Sequence, residues 1–493
     1  MVPLPPGCRQ CRAQLQKIAR RVMTERGLAP DFPPAALTEL AQIQSAAVAT
    51  GPLARDLRNL LWCSIDNDDS LDLDQLSAAE ALPDGTVKIY VAIADVTALV
   101  KKGSALDGHA RQNTTSVYTA AQIFPMLPEK LSTNLTSLNA GVDRAAVVCE
   151  MVFSAKAALL SATHYPATVR NQAKLAYNSV AAWLDGTAAA PAALAAVPGL
   201  DENIRLQYRI ASQLAELRHQ RGALSLETIQ VHAVFHDTDL TDLVADSPNA
   251  AKRLIEDLMI AANGATARFL AARNFPSLRR IVRTPKYWDR IVELAALHGA
   301  NLPKEPDGVA LEQFLVAAQA AHPDTFPELS LSVIKLMGAG EYVLELPGQP
   351  STGHFGLAVR DYAHSTAPNR RYPDVITQRL LKAALAHQPP PYSNDELAVL
   401  AKQCSEQEDA AKKAERQVDK SAAALLLSDR IGLKFPAIVT GASDQGTWVR
   451  LSHPPVEGKL DQPLPGLRVG ERLTVQLVRT DVDRGFIDFV PAK

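Results

Sequence analysis

The sequence has few cysteines and no long uninterrupted apolar run. Its 493 residues contain five cysteines, an odd number that does not suit a disulfide framework and is typical of a reducing compartment. Apolar stretches such as residues 188–197 contain proline or are too short to span a bilayer, and the mean hydropathy is −0.05. These absences exclude a secreted protein stabilised by disulfide bonds and a membrane-embedded protein. We expect a cytoplasmic protein with no membrane partner.

The chain also lacks an excess of positive charge. Its 51 lysines and arginines are balanced by 53 aspartates and glutamates, which leaves a formal net charge of −2. Proteins that bind nucleic acid over a broad surface are usually basic. A nucleic-acid site in this protein must therefore be local, and a buried channel lined with arginine would meet that condition.

Two of the five cysteines, Cys8 and Cys11, form a Cys-x-x-Cys pair. A structural zinc site needs four ligands, and neither a second such pair nor a nearby pair of histidines follows. Incidental or weakly metal-binding cysteines are therefore the favoured interpretation.

The length of the chain predicts two or three domains, because one hydrophobic core rarely serves so many residues. Periodic apolar positions predict helices over residues 11–26 and 34–48, and hence a small helical domain over residues 1–59, with a helix-turn-helix as one option. Strands are predicted over residues 60–65 and 87–94, followed by a mixed α/β region whose main helices are predicted over residues 201–217, 250–273 and 374–387.

The last part of the chain changes character twice. Residues 394–430 are charged and rich in alanine, with opposite charges at helical spacing, which predicts one long, partly exposed helix. Residues 431–493 contain several short strands separated by Gly, Asp and Pro, which predicts a small β-barrel of the OB-fold kind. The predicted class is thus a multi-domain α+β protein, with residues 60–430 forming the mixed α/β body.

An acidic cluster follows the first predicted strand. Five carboxylates occupy nine positions, at residues 66, 68, 69, 72 and 74. Such crowding raises the carboxyl pKa values, and a divalent cation with oxygen ligands relieves the repulsion. A calcium loop of the EF-hand kind does not fit, because its glycine and glutamate positions fall on Leu71 and Ser77. Spacing alone leaves metal binding and a solvated acidic loop as open alternatives.

The acidic cluster is part of a longer sequence pattern. Ile65, Asp66, Asp72, Asp74 and Gln75 resemble the Ile-Asp-x5-Asp-x-Asp-Asp signature of the RNB catalytic domain of the ribonuclease II family. Six further blocks resemble family segments in the right order, over roughly residues 60–385: VAIADV at 91–96, GSALD at 103–107, FPMLPEKLS at 124–132, LIEDLMIAAN at 254–263, HFGLA at 354–358 and APNRRYPD at 367–374.

The resemblance implies a metal site and a phosphate clamp. Asp66, Asp72 and Asp74 match the first three family aspartates, which would hold Mg²⁺, with Mn²⁺ as an alternative, and the attacking water. Gln75 replaces the fourth aspartate, so one anionic ligand is missing; either its neutral carbonyl suffices or Asp68 or Asp69 substitutes. Arg370 matches the arginine at the scissile phosphate.

The resemblance also implies RNA contacts, each with a structural alternative. Tyr118 matches an aromatic residue that stacks on a base, and Glu256 matches an acidic residue that contacts the terminal ribose. Leu226 stands where relatives carry the second stacking aromatic residue. Further RNA contacts are expected at three residues, which are equally well explained as core or surface side chains: Tyr177, Arg371 and Trp448.

The family implies a 3′→5′ exoribonuclease that hydrolyses single-stranded RNA to nucleoside 5′-monophosphates with magnesium, and a monomer is expected. About sixty largely helical residues before the body are too few for the two cold-shock barrels usual in bacterial relatives, so a different RNA entry route is expected. The alternative reading is an RNA-binding regulatory protein that kept the channel but, because of Gln75, has weak catalysis.

Overall fold

The computed structural model describes residues 11–443, 446–462 and 466–492; Cys8, the first member of the Cys-x-x-Cys pair, lies outside them. The helices are α1 Cys11–Glu25, α2 Pro34–Gln42, α3 Ala105–Asn113, α4 Tyr177–Leu184, α5 Ala192–Ala195, α6 Leu200–His219, α7 Ala250–Ala272, α8 Trp288–Leu297, α9 Gly308–Ala321, α10 Phe326–Met337, α11 Tyr372–Leu385 and α12 Asn394–Leu427.

The strands are β1 Arg55–Asp56, β2 Cys63–Asp66, β3 Gln75–Ala81, β4 Val87–Ala94, β5 Val117–Tyr118, β6 Ile123–Phe124, β7 Asp143–Phe153, β8 Leu159–Arg170, β9 Ala173–Ala176, β10 Gln230–His236, β11 Asp239–Asp246, β12 Ser277–Ile281, β13 Glu341–Glu345, β14 Lys434–Ser443, β15 Gly446–Leu451, β16 Glu457–Leu460, β17 Arg472–Asp481 and β18 Phe486–Pro491.

A seven-stranded sheet forms the centre of the body, in the order β1-β8-β7-β4-β3-β2-β9. Strand β4 shows that both faces of this sheet are buried. Ile89, Val91 and Ile93 pack in one hydrophobic cluster, whereas Tyr90 and Ala92 pack in another on the opposite face. A strand that is buried on both faces reads as a continuous apolar run, as residues 87–94 do. Helices α6 and α7 cover one face, and α11 with the first turns of α12 covers the other.

The two N-terminal helices form as predicted, but α2 ends earlier, at Gln42, where Ile43 turns to an extended conformation. Helix α1 buries Leu15, Ile18 and Val22 in a cluster shared with α12, whereas α2 packs Ala36 against the central body. Among the described residues, the expected small helical domain therefore has no apolar core of its own. Both helices are parts of the body's surface layer.

Helix α12 confirms the prediction of one long helix over residues 394–430. Its small apolar side chains enter three successive clusters, through Cys404 in the body, Ala414 beneath α1 and Ala424 beneath the C-terminal barrel. Because these side chains are small, the backbone of α12 can lie close to its neighbours in all three clusters. The helix thereby fixes the barrel to the body.

The predicted C-terminal barrel is confirmed as a closed barrel in the order β14-β15-β16-β18-β17. Strand β16, with the sequence Glu-Gly-Lys-Leu, has no β-branched residue, so its local sequence gives little sign of a strand. Two ion pairs join the barrel to the region around α10: Arg450 contacts Glu328, and Arg472 Nη2 lies 3.1 Å from Asp324 Oδ2. No helix in the described part of the chain is long and apolar enough to cross a membrane.

The packing of α1 gives a test of this architecture. Leu15 is fully buried, so Leu15→Ala should lower the free energy of unfolding by about 2–5 kcal/mol. The matched control, Leu37→Ala, changes a leucine of α2 that is 49% exposed and should cost less than about 0.5 kcal/mol. Urea unfolding followed by circular dichroism measures both. An unchanged main transition in Leu15→Ala would show that α1 is not part of the body.

Candidate active site

The acidic loop runs from the end of β2 to the start of β3, and the body holds it at both ends. The carboxylate of Asp66 accepts hydrogen bonds from the backbone N–H of Asn67 at 2.8 Å and from the hydroxyl of Ser70 at 3.0 Å. Ser137 then fastens the middle of the loop: its Oγ accepts from the N–H of Leu73 at 2.9 Å and donates to the carbonyl of Leu71 at 2.7 Å. The loop is thus held in a defined shape.

Asp74 is the most deeply buried carboxylate of the loop, with 2% of the residue exposed. Its Oδ1 accepts the backbone N–H of Asn369 at 2.8 Å, and its Oδ2 lies 3.5 Å from Arg370 Nε. Burial raises the pKa of Asp74 to about 8, Arg370 opposes that rise and Asp72 adds to it. The carboxyl therefore lies close to the arginine predicted to clamp phosphate, and it is costly to ionise without a cation.

Asp72 faces the predicted stacking residue. Its Oδ2 accepts the hydroxyl of Tyr118 at 3.1 Å. Burial raises the pKa of Asp72; the contact with Tyr118 and the charge of Arg370 lower it, and Asp66 raises it further. The side chains of Asp66, Asp72, Tyr118 and Arg370 therefore lie close enough to interact electrostatically.

Gln75 and the two remaining acidic residues of the loop are placed differently. Gln75 is the first residue of β3, is half-buried and pairs with Ile93 of β4. Its carboxamide makes no hydrogen bond within the described residues. Asp68 and Asp69 are both exposed to solvent.

The two neighbouring arginines have different surroundings. The side chain of Arg370 is 44% exposed, while its carbonyl accepts the N–H of Ser116 at 3.0 Å. Arg371 turns inward, where it donates to the buried carboxylate of Asp374 at 2.8 Å. The guanidinium of Arg370 thus remains accessible to a phosphate beside its ion pair with Asp74, whereas Arg371 fixes the loop before α11.

Tyr177 and Glu256 are two further predicted RNA contacts. Burial raises the pKa of Tyr177, and the charges of Asp66, Arg370 and Glu256 all act on it. Glu256, on α7, keeps contact with solvent, but the surrounding protein and Asp257 raise its pKa. Tyr118 and Tyr177 therefore lie near the carboxylates, and Glu256 lies near Tyr177.

Leu226 and Trp448, two more of the predicted RNA contacts, pack against apolar parts of the protein. Leu226 packs with Leu224 against the cluster formed by α8, α9 and α10. Trp448 lies on the outer side of β15, against Gly441 and Gly446, while Val449 on the same strand enters the barrel core. Trp448 is therefore half-exposed rather than a core residue.

Sequence reasoning missed the residues that hold the site in shape. Asn369 is fully buried, and its side-chain Oδ1 accepts the hydroxyl of Thr136 at 2.5 Å. Glu415 of α12 accepts the backbone N–H of Tyr118 at 2.8 Å. Asn369 lies within a family-like block, which was a usable signal; Glu415 lies in a charged helix, where only tertiary structure distinguishes it from its solvated neighbours.

The carboxylates supply the oxygen donors that Mg²⁺ prefers, and one of them is unsatisfied. Asp74 Oδ2 is buried without a hydrogen-bond partner, which is the state that a bound cation relieves. Across residues 11–443, 446–462 and 466–492, however, no three His, Cys, Asp or Glu side chains are arranged closely enough to hold a metal ion. The donor chemistry fits a magnesium site, but Asp72 and Asp74 are turned toward Tyr118 and Arg370.

Comparison with known proteins identifies the families of two parts of the chain. Residues 54–387 match the RNB domain family, and residues 434–492 match the RNase II-type exonuclease C-terminal S1 domain. The chain is 31% identical to Ribonuclease R of Vibrio parahaemolyticus, over 88% of this chain and 55% of the relative. It is 32% identical to Ribonuclease R of Escherichia coli, over 88% of this chain and 57% of the relative. The chain thus spans little more than half the length of these relatives.

Solved structures share the fold at low sequence identity. RNase R of Mycoplasma genitalium in complex with ribose methylated single-stranded RNA has a TM-score of 0.87 at 21% identity, covering 97% of this chain and 78% of its own. Yeast Ssd1, described as a pseudonuclease, has a TM-score of 0.72 at 16% identity, covering 96% of this chain and 59% of its own. Because the RNB match alone covers more than half of the chain, this protein belongs to the RNB domain family.

Proposed function

We propose that the protein is a 3′→5′ exoribonuclease that hydrolyses single-stranded RNA to nucleoside 5′-monophosphates. It would act as a cytoplasmic monomer in RNA turnover or processing. The observation that carries the proposal is the contact between buried Asp74 and exposed Arg370, 3.5 Å apart, with Asp72 and Tyr118 beside them. Carboxylates for a cation, a guanidinium for a phosphate and an aromatic ring for a base are the three components that RNA cleavage at this site requires.

Each of these residues has a role that follows from its position. Asp66, Asp72 and Asp74, with Gln75 as a neutral fourth donor, would hold Mg²⁺; RNB-domain ribonucleases are metal-dependent nucleases in general. Bound to these residues, Mg²⁺ would polarise the attacking water and stabilise the leaving 3′-oxygen.

The remaining residues bind and orient the RNA. Arg370 donates to an oxygen of the scissile phosphate and offsets the charge that develops there. The ring of Tyr118 stacks on a base while its hydroxyl keeps Asp72 in place. Glu256 accepts a ribose 2′-hydroxyl, which favours RNA over DNA.

One observation favours a second candidate function. Gln75 removes one negative charge from the ligand set, and the RNB fold occurs in yeast Ssd1, which is described as a pseudonuclease. The fold alone therefore does not decide activity. An RNA-binding regulatory protein with weak catalysis is the alternative.

The two candidates predict different outcomes with one substrate. With magnesium and a 5′-labelled oligonucleotide, the wild-type protein should shorten RNA from its 3′ end and leave the matching DNA intact. Asp74→Asn should lower the rate by at least about 100-fold, because one ligand and its charge are lost, while RNA binding in a gel-shift assay persists. Asp201→Asn, on the exposed start of α6, is the control. RNA that shifts but is not cleaved by wild-type protein would favour the regulatory reading.

The raised pKa of Asp74 predicts a pH-dependent stability. The carboxyl titrates near its usual value of 3.8 in the unfolded chain and at about 8 in the folded protein. Between these pH values the folded state binds more protons, so the free energy of unfolding falls as the pH rises. Without divalent cations, Asp74→Asn should therefore have a higher Tm than the wild type at neutral pH, by roughly 2 °C or more.

This gain should vanish near pH 4 and shrink when Mg²⁺ is added, since the cation stabilises the wild-type carboxylate. Differential scanning calorimetry across the pH range measures it, with Asp69→Asn as a control in the exposed part of the same loop. Equal Tm values for wild type and Asp74→Asn at every pH would contradict the assignment of Asp74 as a strained buried carboxyl.

The missing fourth aspartate gives a gain-of-function test. Gln75→Asp restores an anionic donor and should lower the Mg²⁺ concentration for half-maximal activity by about tenfold, because cation affinity rises with ligand charge. Gln75→Asn, which keeps a neutral amide, should not lower it. A magnesium titration of the initial rate measures the effect. If Gln75→Asp and wild type require the same concentration, position 75 is not a ligand position.

A further inference from the structure

The β5–β6 hairpin presents one buried and one exposed pair of side chains. Val117 pairs with Phe124, and both are almost fully buried, at 0% and 3% exposure, in the cluster beneath α1. Tyr118 pairs with Ile123 on the opposite face, and these are 39% and 57% exposed. Because side chains alternate along a strand, Tyr118 and Ile123 lie side by side and form the outer face of the hairpin.

This outer face is held firmly in place. The N–H of Tyr118 is bound by Glu415 at 2.8 Å, and the turn is closed by a hydrogen bond from the hydroxyl of Thr119 to the carbonyl of Gln122 at 2.6 Å. The start of the hairpin contacts the loop that carries Arg370, because the N–H of Ser116 donates a hydrogen bond to the carbonyl of Arg370 at 3.0 Å. The pair is therefore preorganised relative to the carboxylates.

The position of Ile123 follows from that of Tyr118. The hydroxyl of Tyr118 reaches Asp72 at 3.1 Å, so its ring borders the proposed cleavage site. Directly paired residues have Cβ atoms about 4.5–5.5 Å apart, which is comparable to the spacing of stacked nucleotides, roughly 3.4 Å along each strand of duplex DNA. Ile123 thus extends the apolar surface of Tyr118 by about one nucleotide.

We infer that Ile123 forms, with Tyr118, a two-nucleotide binding surface, in which Ile123 contacts the nucleotide next to the one stacked on Tyr118. This inference rests on the proposed function, because it requires single-stranded RNA at the carboxylates. An aliphatic side chain against a base or ribose face gives apolar contact without selecting a base. The pair would therefore add affinity for any sequence, as a nonspecific exonuclease requires.

The test pairs protein variants with abasic RNA. In the Asp74→Asn background, which binds without cleaving, Ile123→Ala should weaken binding of a short single-stranded RNA by roughly fivefold, from the loss of apolar contact. Removing the base at each position in turn maps which nucleotide each side chain contacts. Ile123→Ala should abolish the effect of one abasic position, and Tyr118→Ala should abolish the effect of the adjacent position.

Two further variants separate binding from folding. Ile123→Phe should bind RNA more tightly than the parent, an outcome that misfolding cannot produce. Val399→Ala changes a valine of α12 that is 58% exposed and lies about 24 Å along the helix from Glu415; it should bind as the parent does.

The possible outcomes are distinct. The inference is overturned, while the proposed function stands, if Ile123→Ala and Tyr118→Ala abolish the effect of the same abasic position. The same holds if Tyr118→Ala abolishes the effect of one abasic position and Ile123→Ala abolishes none. If the wild-type protein neither binds nor shortens RNA, both are overturned.

Discussion

The site depends on one contact between two distant parts of the chain, the hydrogen bond from the backbone N–H of Asn369 to the carboxylate of Asp74 at 2.8 Å. Asp74 enters the central sheet next to β3, whereas Asn369 belongs to the loop before α11. The same loop carries Arg370, so fixing Asn369 also fixes the guanidinium relative to the acidic loop. Asp374 secures the loop from the other side by accepting the N–H of Ala367 at 2.8 Å. Sheet, loop and helix meet at this point.

The contact is costly, and the cost indicates function. A carboxyl that is 2% exposed, lies near Asp72 and has one oxygen without a hydrogen-bond donor is destabilised when ionised. Selection for stability alone would replace it with asparagine or an apolar residue. Perturbed groups of this kind concentrate at functional sites, where the missing interaction is supplied by a ligand. In the function proposed above, that ligand is a cation, and Arg370 binds the scissile phosphate.

Helix α12 and the two N-terminal helices form a second layer that supports the site from outside. Glu415 holds the Tyr118 hairpin by its backbone, and the side chains of Val117 and Phe124 anchor the same hairpin in the cluster shared by α1 and α12. Sequence periodicity predicted these helices but suggested a separate N-terminal domain. Their buried side chains pack on the body, those of α1 beside α12 and Ala36 of α2 in the central cluster.

The sequence alone determined the elements with strong local patterns. The β-branched run of β4, the alanine-rich α12, the short strands of the barrel and the family-like blocks around Asp66, Asp74 and Arg370 were readable because adjacent residues carry those signals. Tertiary structure alone decided that Arg371 turns inward to Asp374, that Leu226 packs against α8, α9 and α10, and that Ile123 lies beside Tyr118. Such pairings join segments far apart in sequence or depend on which face of a hairpin is buried. Local pattern carries no information about them.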